Sequence, residues 1–395
     1  MCDALVIGAG PAGAAAAWAL ARDGHRVVLL DRLAFPRDKT CGDGLIADAQ
    51  QALDAMGLRE AVEREAFAAR EMRVHAPNGR AVSLSGSFRC LPRQRFDAML
   101  VEQAVAAGAE LRAPVTALQS VERDGRVAGA RVRSAVGEQT IEARVTLLAT
   151  GANATTAAAF GLPLPPKPNA VAGRAYYEAP ASFAECHPHL SIVYDRALLP
   201  GYGWIFPGPD RCYNAGVGVF AYGGRERPGV RELWDRFTTG FPAAAELVAV
   251  SRLLAPFRGA PLRDGLQHAT LGRPGMVVLG DAAAMTYPAT GEGIGKAMQS
   301  GLLAAELIGA ALGGRAGRDD VHAVYDREFR RRFTARYRAY WTAQAWTSRP
   351  WLLNLLAWRA NSGSFVRGEF EALIAEEGDP GRLFSPAGMI RAAIS

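Results

Sequence analysis

A glycine pattern close to the N-terminus restricts the possible folds of this chain more than any other segment. Gly8-Ala9-Gly10-Pro11-Ala12-Gly13 is a G-x-G-x-x-G motif that follows the apolar segment 4–7 and opens the small-residue segment 11–23. The next apolar segment, 26–30, ends before Asp31, about twenty residues after the motif begins. A strand, a tight turn, a helix and a second strand form a Rossmann-type βαβ unit, so we predict an α/β fold with a parallel sheet.

The motif requires a glycine at each of three positions, each for a different physical reason. Gly8 permits the tight turn, Gly10 lets the backbone approach a pyrophosphate, and Gly13 lets the helix pack closely on the sheet. The free N–H groups at the start of the helix attract phosphates, and a carboxylate at Asp31 accepts hydrogen bonds from ribose hydroxyls. The unit alone does not distinguish NAD from FAD. The dinucleotide contacts predicted here are Gly8, Gly10, Pro11, Ala12, Gly13, Asp31 and Arg32.

A second glycine-containing segment follows the buried strand predicted at 276–279. Gly280-Asp281 ends that strand, and a glycine-punctuated turn leads into a helix from Lys296. The two segments, in this order, resemble the flavin motifs of the p-hydroxybenzoate-hydroxylase-like superfamily. This resemblance implies FAD as the cofactor, with Asp281 near its ribityl or pyrophosphate oxygens and backbone amides near its ring. The contacts predicted here are Gly280, Asp281, Pro288, Gly291, Gly293 and Ile294.

Two shorter segments match the same superfamily. Thr150 and Gly151 stand at its middle motif, although an aspartate is usual where Thr150 stands. Arg93 matches the arginine that lies along the cofactor in that superfamily, and Arg95 is a competing candidate. The resemblance therefore adds Arg93, Thr150 and Gly151 to the predicted FAD contacts.

Two further segments resemble the geranylgeranyl reductase family. Residues 200–207 match its P-G-Y-x-W-x-F-P signature, and residues 37–44 match its R-x-x-x-C-G-x-G loop. This resemblance implies hydride transfer from reduced FAD to a carbon–carbon double bond of an apolar substrate, isoprenoid or polyene-like. It also implies that Cys41 and Gly42 lie over the flavin.

An aromatic strand is predicted to bind the substrate. Tyr202, Trp204 and Phe206 share one face of a strand, because side chains alternate between the two faces. Such a wall suits an apolar substrate stacked beside a flat ring system, and plain core packing is the alternative.

Cys41 and Tyr202 are the candidate proton donors, and Trp204 completes the predicted catalytic set. The positively charged neighbours Arg37 and Lys39 favour a reactive thiolate at Cys41. An inert, buried cysteine is the alternative, which the sequence leaves open.

Three other functions share these motifs. An FAD-dependent monooxygenase would hydroxylate an apolar or aromatic metabolite, and a non-catalytic protein would only carry electrons. A flavin halogenase is disfavoured, because Tyr202 and Phe206 replace a tryptophan and an isoleucine of its signature, and no lysine lies between Lys39 and Lys167. No second dinucleotide motif is evident, so we expect transiently bound NAD(P)H or a protein donor to reduce the flavin.

Composition excludes several classes of function. The net charge is +6, but no block of like charge resembles a nucleic-acid arm. Five scattered cysteines indicate neither a disulfide framework nor a zinc site, and Cys186-His187-Pro188-His189 is interpreted as a polar loop rather than a metal site. No apolar run is long enough to span a membrane and no leader is evident, so we expect a cytoplasmic protein.

The order of predicted elements divides the chain into three parts. A discontinuous FAD-binding domain is predicted at 1–70, 94–165 and 268–320, a β-rich substrate domain at 71–93 and 166–267, and a helical region at 321–395. One face of the first C-terminal helix carries Phe329, Phe333, Tyr337 and Trp341. Such a stripe either packs on the protein or makes a peripheral membrane contact.

Overall fold

The computed structural model describes residues 1–162, 169–221, 228–266, 269–314 and 321–394. Its strands form two large sheets with helices packed around them. The strands are β1 (Cys2–Ile7), β2 (Val27–Leu30), β3 (Gly44–Leu45), β4 (Phe67–His75), β5 (Ala81–Cys90), β6 (Glu110–Arg112), β7 (Thr116–Arg123), β8 (Arg126–Ser134), β9 (Gly137–Leu148), β10 (Ala170–Glu178), β11 (Leu190–Val193), β12 (Gly201–Pro207), β13 (Cys212–Phe220), β14 (Arg252–Leu262), β15 (Gly272–Arg273) and β16 (Met276–Val278).

Helices precede, separate and follow these strands. They are α1 (Pro11–Arg22), α2 (Ala47–Ala55), α3 (Arg59–Glu65), α4 (Arg93–Ala106), α5 (Ala154–Ala159), α6 (Ala181–Cys186), α7 (Val230–Gly240), α8 (Pro242–Val250), α9 (Ile294–Leu312), α10 (Val321–Thr347), α11 (Pro350–Ser362), α12 (Ser364–Ile374) and α13 (Pro386–Ile394). No helix in the described part of the chain is long and apolar enough to cross a membrane.

The first sheet is the predicted Rossmann-type sheet. Its strand order is β15-β16-β9-β1-β2-β6, and β16, β9, β1, β2 and β6 run parallel. The strands β7, β8 and β9 form the antiparallel meander beside it. Because β16 comes from residues 276–278 and pairs with β9, the first sheet is assembled from distant parts of the chain. The prediction of an α/β fold with a discontinuous cofactor-binding domain is confirmed.

Small residues bring the two long helices of this domain together. The alanines of α1 are buried, and a Cβ on Gly301 of α9 would lie 2.2 Å from the carbonyl oxygen of Ala12. A larger residue at either helix surface would push α9 away from α1 and from the sheet. The close packing therefore fixes the position of the segment that precedes α9.

The second sheet has the order β14-β10-β13-β12-β11-β4-β5-β3 and covers the carboxyl ends of the first-sheet strands. All of its strand pairs are antiparallel except β11 with β4. One face of β12 packs on α7, where a Cβ on Gly203 would lie 2.5 Å from the ring of Phe237. Because side chains alternate along the strand, the other face turns Tyr202, Trp204 and Phe206 toward the first sheet.

The C-terminal helices pack on the protein. Phe329 and Tyr337 of α10 are fully buried, and the Trp341 indole N–H donates to the Gly265 carbonyl at 3.1 Å. Phe333 and Trp341 are half-buried, and Phe333 packs against the core, so the aromatic stripe of α10 packs on the protein.

The predicted domain limits differ from sheet membership at two places. The strands β3 and β4 join the second sheet, although the prediction placed residues 1–70 in the first domain. The limits predicted at 165/166, 267/268 and 320/321 fall on segments with residues outside the described ranges. The division into domains stays a prediction.

Candidate functional site

A cavity of about 790 Å³ lies between the two sheets. It is bordered by the carboxyl ends of β1, β2, β9 and β16, by the loop 37–44, and by one face of β12. Among the predicted site residues, Gly13 and Pro288 do not line it. Those that line it are Gly8, Gly10, Pro11, Ala12, Asp31, Arg32, Cys41, Gly42, Arg93, Thr150, Gly151, Tyr202, Trp204, Phe206, Gly280, Asp281, Gly291, Gly293 and Ile294.

The three motif glycines have different surroundings. Gly8 has a φ of +104°, and a Cβ there would lie 2.3 Å from the Ala149 carbonyl oxygen. A Cβ on Gly13 would lie 1.9 Å from the Gly8 carbonyl oxygen, so Gly13 serves helix packing and does not face the cavity. A Cβ on Gly10 would meet only the Arg37 Nη2, at 3.7 Å, and would otherwise enter the cavity. Only Gly10 therefore has the geometry expected where a ligand approaches the backbone.

Asp31 stands at the carboxyl end of β2, where the motif predicts it. Its carboxylate accepts hydrogen bonds from the Ala9 N–H at 3.1 Å and from the Leu33 N–H at 3.0 Å. The Arg37 Nε also donates to Asp31, at 3.2 Å, and the Arg37 Nη1 donates to buried Asp97 at 2.9 Å. These bonds hold the glycine turn and the Asp31 carboxylate at one end of the cavity.

A buried polar atom also faces this part of the cavity. The Thr150 Oγ1 is buried and has no hydrogen-bond partner in the described part of the chain. A buried hydroxyl without a partner costs free energy, so this threonine is suited to a ligand that supplies the missing bond. The glycine turn, the Asp31 carboxylate and the Thr150 hydroxyl together fit the diphosphate and ribose of a dinucleotide.

The second glycine-containing segment, residues 280–293, forms a loop with internal hydrogen bonds beside this end of the cavity. The Thr286 hydroxyl donates to the Asp281 carboxylate at 2.6 Å, and a Cβ on Gly293 would lie 2.6 Å from the same hydroxyl oxygen. The Tyr287 N–H donates to the Glu292 carbonyl at 2.8 Å. The loop is thus preorganised, with Asp281 and the glycines at its mouth, which fits the contacts that the sequence predicted.

The Cys41 loop is held by a network that sequence reasoning missed. The Asn214 amide donates to the Cys41 carbonyl and to the Asp43 carboxylate, both at 2.7 Å, and accepts a hydrogen bond from the Trp204 indole at 2.9 Å. The Tyr176 hydroxyl also donates to Asp43. Burial raises the pKa of Asp43 to about 6, although these hydrogen bonds favour its carboxylate. The network joins the loop to the aromatic strand.

The cationic residues that the sequence singled out lie at different distances from the cavity. Arg95 is 43% exposed and pairs with Glu65, so it lies outside the cavity, whereas Arg93 is buried and lines it. Arg37 pairs with Asp31 and Asp97, and Lys39 lies near enough to Cys41 for their charges to interact. The expectation that Arg37 also neighbours Cys41 stays a prediction.

Arg93 is a further cation beside Cys41. Its guanidinium binds both oxygens of Asp97, at 2.6 and 2.8 Å, and lies within hydrogen-bonding reach of the Cys41 side chain. The Cys41 sulfur also accepts from the Asp43 N–H at 3.4 Å. Part of the positive charge beside the cysteine therefore comes from Arg93 at the start of α4, which is distant from Cys41 in the sequence, and the loop sequence alone does not show it.

The aromatic wall is larger than the sequence suggests. Tyr202, Trp204 and Phe206 all line the cavity, with neighbouring ring centroids 6.1 and 6.5 Å apart. Phe220 stacks on Tyr202 with ring centroids 6.1 Å apart, and the ring centroid of Tyr194 lies 5.7 Å from that of Tyr202. These two residues come from other segments, so strand alternation in β12 could not reveal them.

Glycines of the Cys41 loop pack directly against this wall. A Cβ on Gly42 would lie 3.4 Å from the Phe206 ring and 3.5 Å from the Trp204 Nε1. The loop and the wall therefore face each other across the cavity at close range, which brings the predicted catalytic residues together.

Comparison with known proteins agrees with this geometry. Residues 1–339 match the model of the FAD binding domain family. Digeranylgeranylglycerophospholipid reductase 1 of Methanopyrus kandleri is 30% identical, over 85% of this chain and 87% of the relative. Menaquinone reductase of Mycolicibacterium smegmatis is 32% identical, over 78% of this chain and 76% of the relative.

A solved structure shares the fold across nearly the whole chain. A geranylgeranyl bacteriochlorophyll reductase-like protein from Thermoplasma acidophilum superposes with a TM-score of 0.79 at 21% identity, covering 99% of this chain and 95% of that one. The family match makes FAD the cofactor of this site, as the sequence predicted. The chain belongs to the FAD binding domain family and, within it, to the geranylgeranyl reductase family of FAD-dependent oxidoreductases.

Proposed function

We propose that this enzyme reduces carbon–carbon double bonds in the polyprenyl chain of a lipid or quinone. The observation that carries the proposal is the aromatic wall of β12, which borders the same cavity as the dinucleotide end. An extended chain of isoprene units is apolar and flat at each double bond, so it suits a row of aromatic rings. The two relatives are named as reductases of a digeranylgeranylglycerophospholipid and of menaquinone, which supports a lipid or quinone substrate.

Different residues of the chain would bind the cofactor and the substrate. FAD, when bound and reduced, supplies the hydride. Gly10, the start of α1 and Thr150 would hold its diphosphate, and Asp31 would bind its ribose. Tyr202 and Trp204 would orient the substrate chain and exclude water from the cavity.

Cys41 would position the substrate opposite the aromatic wall. Its loop carbonyl is tied to Asn214, which also holds the Trp204 indole, so the loop and the wall cannot move independently. Orientation of this kind accelerates a reaction because the reacting groups are held in a productive arrangement before the bonds change.

An anaerobic reoxidation experiment tests the proposal. The FAD-loaded protein is reduced chemically and mixed with a digeranylgeranylglycerophospholipid, with a menaquinone, or with buffer, and the flavin absorbance is followed. We expect reoxidation by at least one polyprenyl substrate, with a product that has gained two hydrogens in its polyprenyl chain; a menaquinone reduced only at its quinone ring would contradict the proposal. Reoxidation only by O₂, with a product that has gained oxygen, would instead show a monooxygenase. A protein that passes electrons on but alters no organic substrate would be an electron carrier.

The reductant and the membrane contact are part of the same proposal. Electrons would come from transiently bound NAD(P)H or from a protein donor. Contact with a lipid surface would be made by α11, where Trp351 is 59% exposed and Trp358 is 45% exposed, seven residues apart and thus on one helix face. Tryptophan favours the interface between water and lipid, which is where a polyprenyl substrate is found.

A further inference from the structure

One ionisable side chain on the cavity has no part in the function proposed so far. Glu292 lies between Gly291 and Gly293, in the closed loop that precedes α9, and it lines the cavity. The loop packs on the aromatic wall, because a Cβ on Gly291 would lie 3.0 Å from the Tyr202 hydroxyl oxygen. Glu292 is therefore held beside the residues that would bind the substrate.

The charges around Glu292 explain why it holds a proton. Two cations, Lys296 and Arg336, face it, and both pair with other carboxylates. Lys296 lies 3.4 Å from Asp48 and 3.1 Å from Glu376, and Arg336 lies 3.1 Å from Glu376. Glu292 is the third carboxyl of this cluster and forms no ion pair with another described residue. Its ionisation would place a negative charge without an ion pair on the wall of the cavity, beside the two carboxylates that already pair with Lys296 and Arg336, which is costly.

Burial, reinforced by the negative charges of Asp48 and Glu376, raises the pKa of Glu292 to about 8. A carboxyl group with a raised pKa keeps its proton below that value and loses it above. Glu292 is therefore an acid at neutral pH. The titratable and charged groups that face it are Asp48 of α2, Tyr194, Tyr202 of β12, Lys296 of α9, Arg336 and Tyr340 of α10, and Glu376.

The two proton donors suggested by the sequence are less suited to this task. The Tyr202 hydroxyl donates to the Thr290 carbonyl, and burial raises its pKa well above the ordinary value of 10.0. The Cys41 sulfur accepts from the Asp43 N–H and lies beside Arg93, contacts that suit the positioning role proposed above. A general acid works best when its pKa lies near the working pH, which favours a carboxylic acid of raised pKa over a buried phenol.

We propose that Glu292 is the catalytic acid, whose carboxyl proton is transferred to one carbon of the substrate double bond. The proposal rests on the function proposed above. In the balanced step the C=C π bond breaks, one new C–H bond forms with the hydride, and the other forms with the Glu292 proton. The two electrons come from bound reduced FAD, which ends oxidised, and the Glu292 carboxylate then recovers a proton from water.

The test compares Glu292→Gln with the wild type and with Glu306→Gln, a matched control on the exposed face of α9. Infrared difference spectra of the oxidised, FAD-loaded proteins are recorded against pH. We expect a protonated carboxyl band that titrates at about pH 8 in the wild type and in Glu306→Gln and is missing in Glu292→Gln. Absence of that band from the wild type would overturn the proposal.

Single-turnover reduction of the active polyprenyl substrate is the second measurement. We expect the wild-type rate to fall above about pH 8, and Glu292→Gln to be about 10²- to 10⁴-fold slower, with no such fall. FAD affinity and chemical reduction of the flavin should be unchanged, which shows that the variant is folded. Equal rates and pH profiles in the variant and the wild type would refute the donor role.

Glu292→Asp is a second variant that retains a carboxyl group at this position. We expect an intermediate rate that still falls with rising pH, and a rate independent of pH would contradict the proposal. A wild-type protein that shows the carboxyl band but reduces no polyprenyl substrate would overturn the proposed function, and the donor role with it. If only the donor role of Glu292 is wrong, the wild type still reduces the polyprenyl substrate. The two failures are therefore distinguishable.

Discussion

The substitution Gly10→Ala should weaken FAD binding while leaving the stability of the fold almost unchanged. Gly10 has φ −79° and ψ −173°, an extended conformation that alanine adopts readily. The nearest atom to the new Cβ would be the Arg37 Nη2, at 3.7 Å, so Gly10→Ala introduces no clash in the protein. We expect the free energy of unfolding of the cofactor-free protein to change by less than about 1 kcal/mol.

The added methyl group would instead occupy the space where the FAD diphosphate approaches the backbone. Loss of one hydrogen bond to a charged group costs about 1.5–3 kcal/mol. That range corresponds to a Kd for FAD about 10- to 150-fold higher than in the wild type. The cofactor-free protein is titrated with FAD, and the quenching of flavin fluorescence gives the Kd.

Gly13→Ala is the matched control in the same motif. Its Cβ would lie 1.9 Å from the Gly8 carbonyl oxygen and 3.1 Å from the Val6 side chain, so α1 would have to move away from β1. Overpacking of this kind costs about 1–3 kcal/mol or more, which urea unfolding of the cofactor-free protein measures. FAD binding by Gly10→Ala equal to that of the wild type would refute the assigned role of Gly10, as would a loss of stability in the cofactor-free protein as large as that of Gly13→Ala.

Two further changes test the proposed substrate site and membrane surface. Cys41→Ser should lower alkene turnover while FAD stays bound, and Cys186→Ser, at an exposed cysteine, is the control; unchanged turnover would remove Cys41 from the mechanism. The double variant Trp351→Ala and Trp358→Ala should bind anionic lipid vesicles more weakly in a flotation assay while its unfolding transition stays near that of the wild type, and equal flotation would exclude α11 as the contact.

Much of the fold could be predicted because its signals are local. The turn at Gly8 needs a positive φ, the small face of α1 needs alanines, and the face shared by Tyr202 and Trp204 follows from strand alternation. The dinucleotide end of the site followed from the same local signals, since the spacing along β1, α1 and β2 places the glycine turn and Asp31 together. The choice of FAD over NAD followed from the superfamily resemblance. Each of these inferences depends on residues that are near one another in the chain.

The parts of the site that could not be predicted from the sequence depend on contacts between segments that are distant in the chain. Asn214 lies opposite Phe206 in the register of β12 and β13, and only that register brings its amide to Cys41 and Asp43. Glu292 stands among glycines that the sequence did mark, but its charge state depends on Asp48 and Glu376, far away in the chain.

The sequence by itself determined that the cofactor is a dinucleotide, and it determined the parallel sheet and the aromatic strand, because backbone conformation and alternation are decided over a few neighbouring residues. The tertiary structure decided that Arg93 and not Arg95 borders the cavity, that Arg93 of α4 reaches Cys41, and that the aromatic face of α10 packs against the core. These outcomes depend on which surfaces exclude water and which charges find partners once the sheets and helices pack. Such pairings join residues that no local pattern connects.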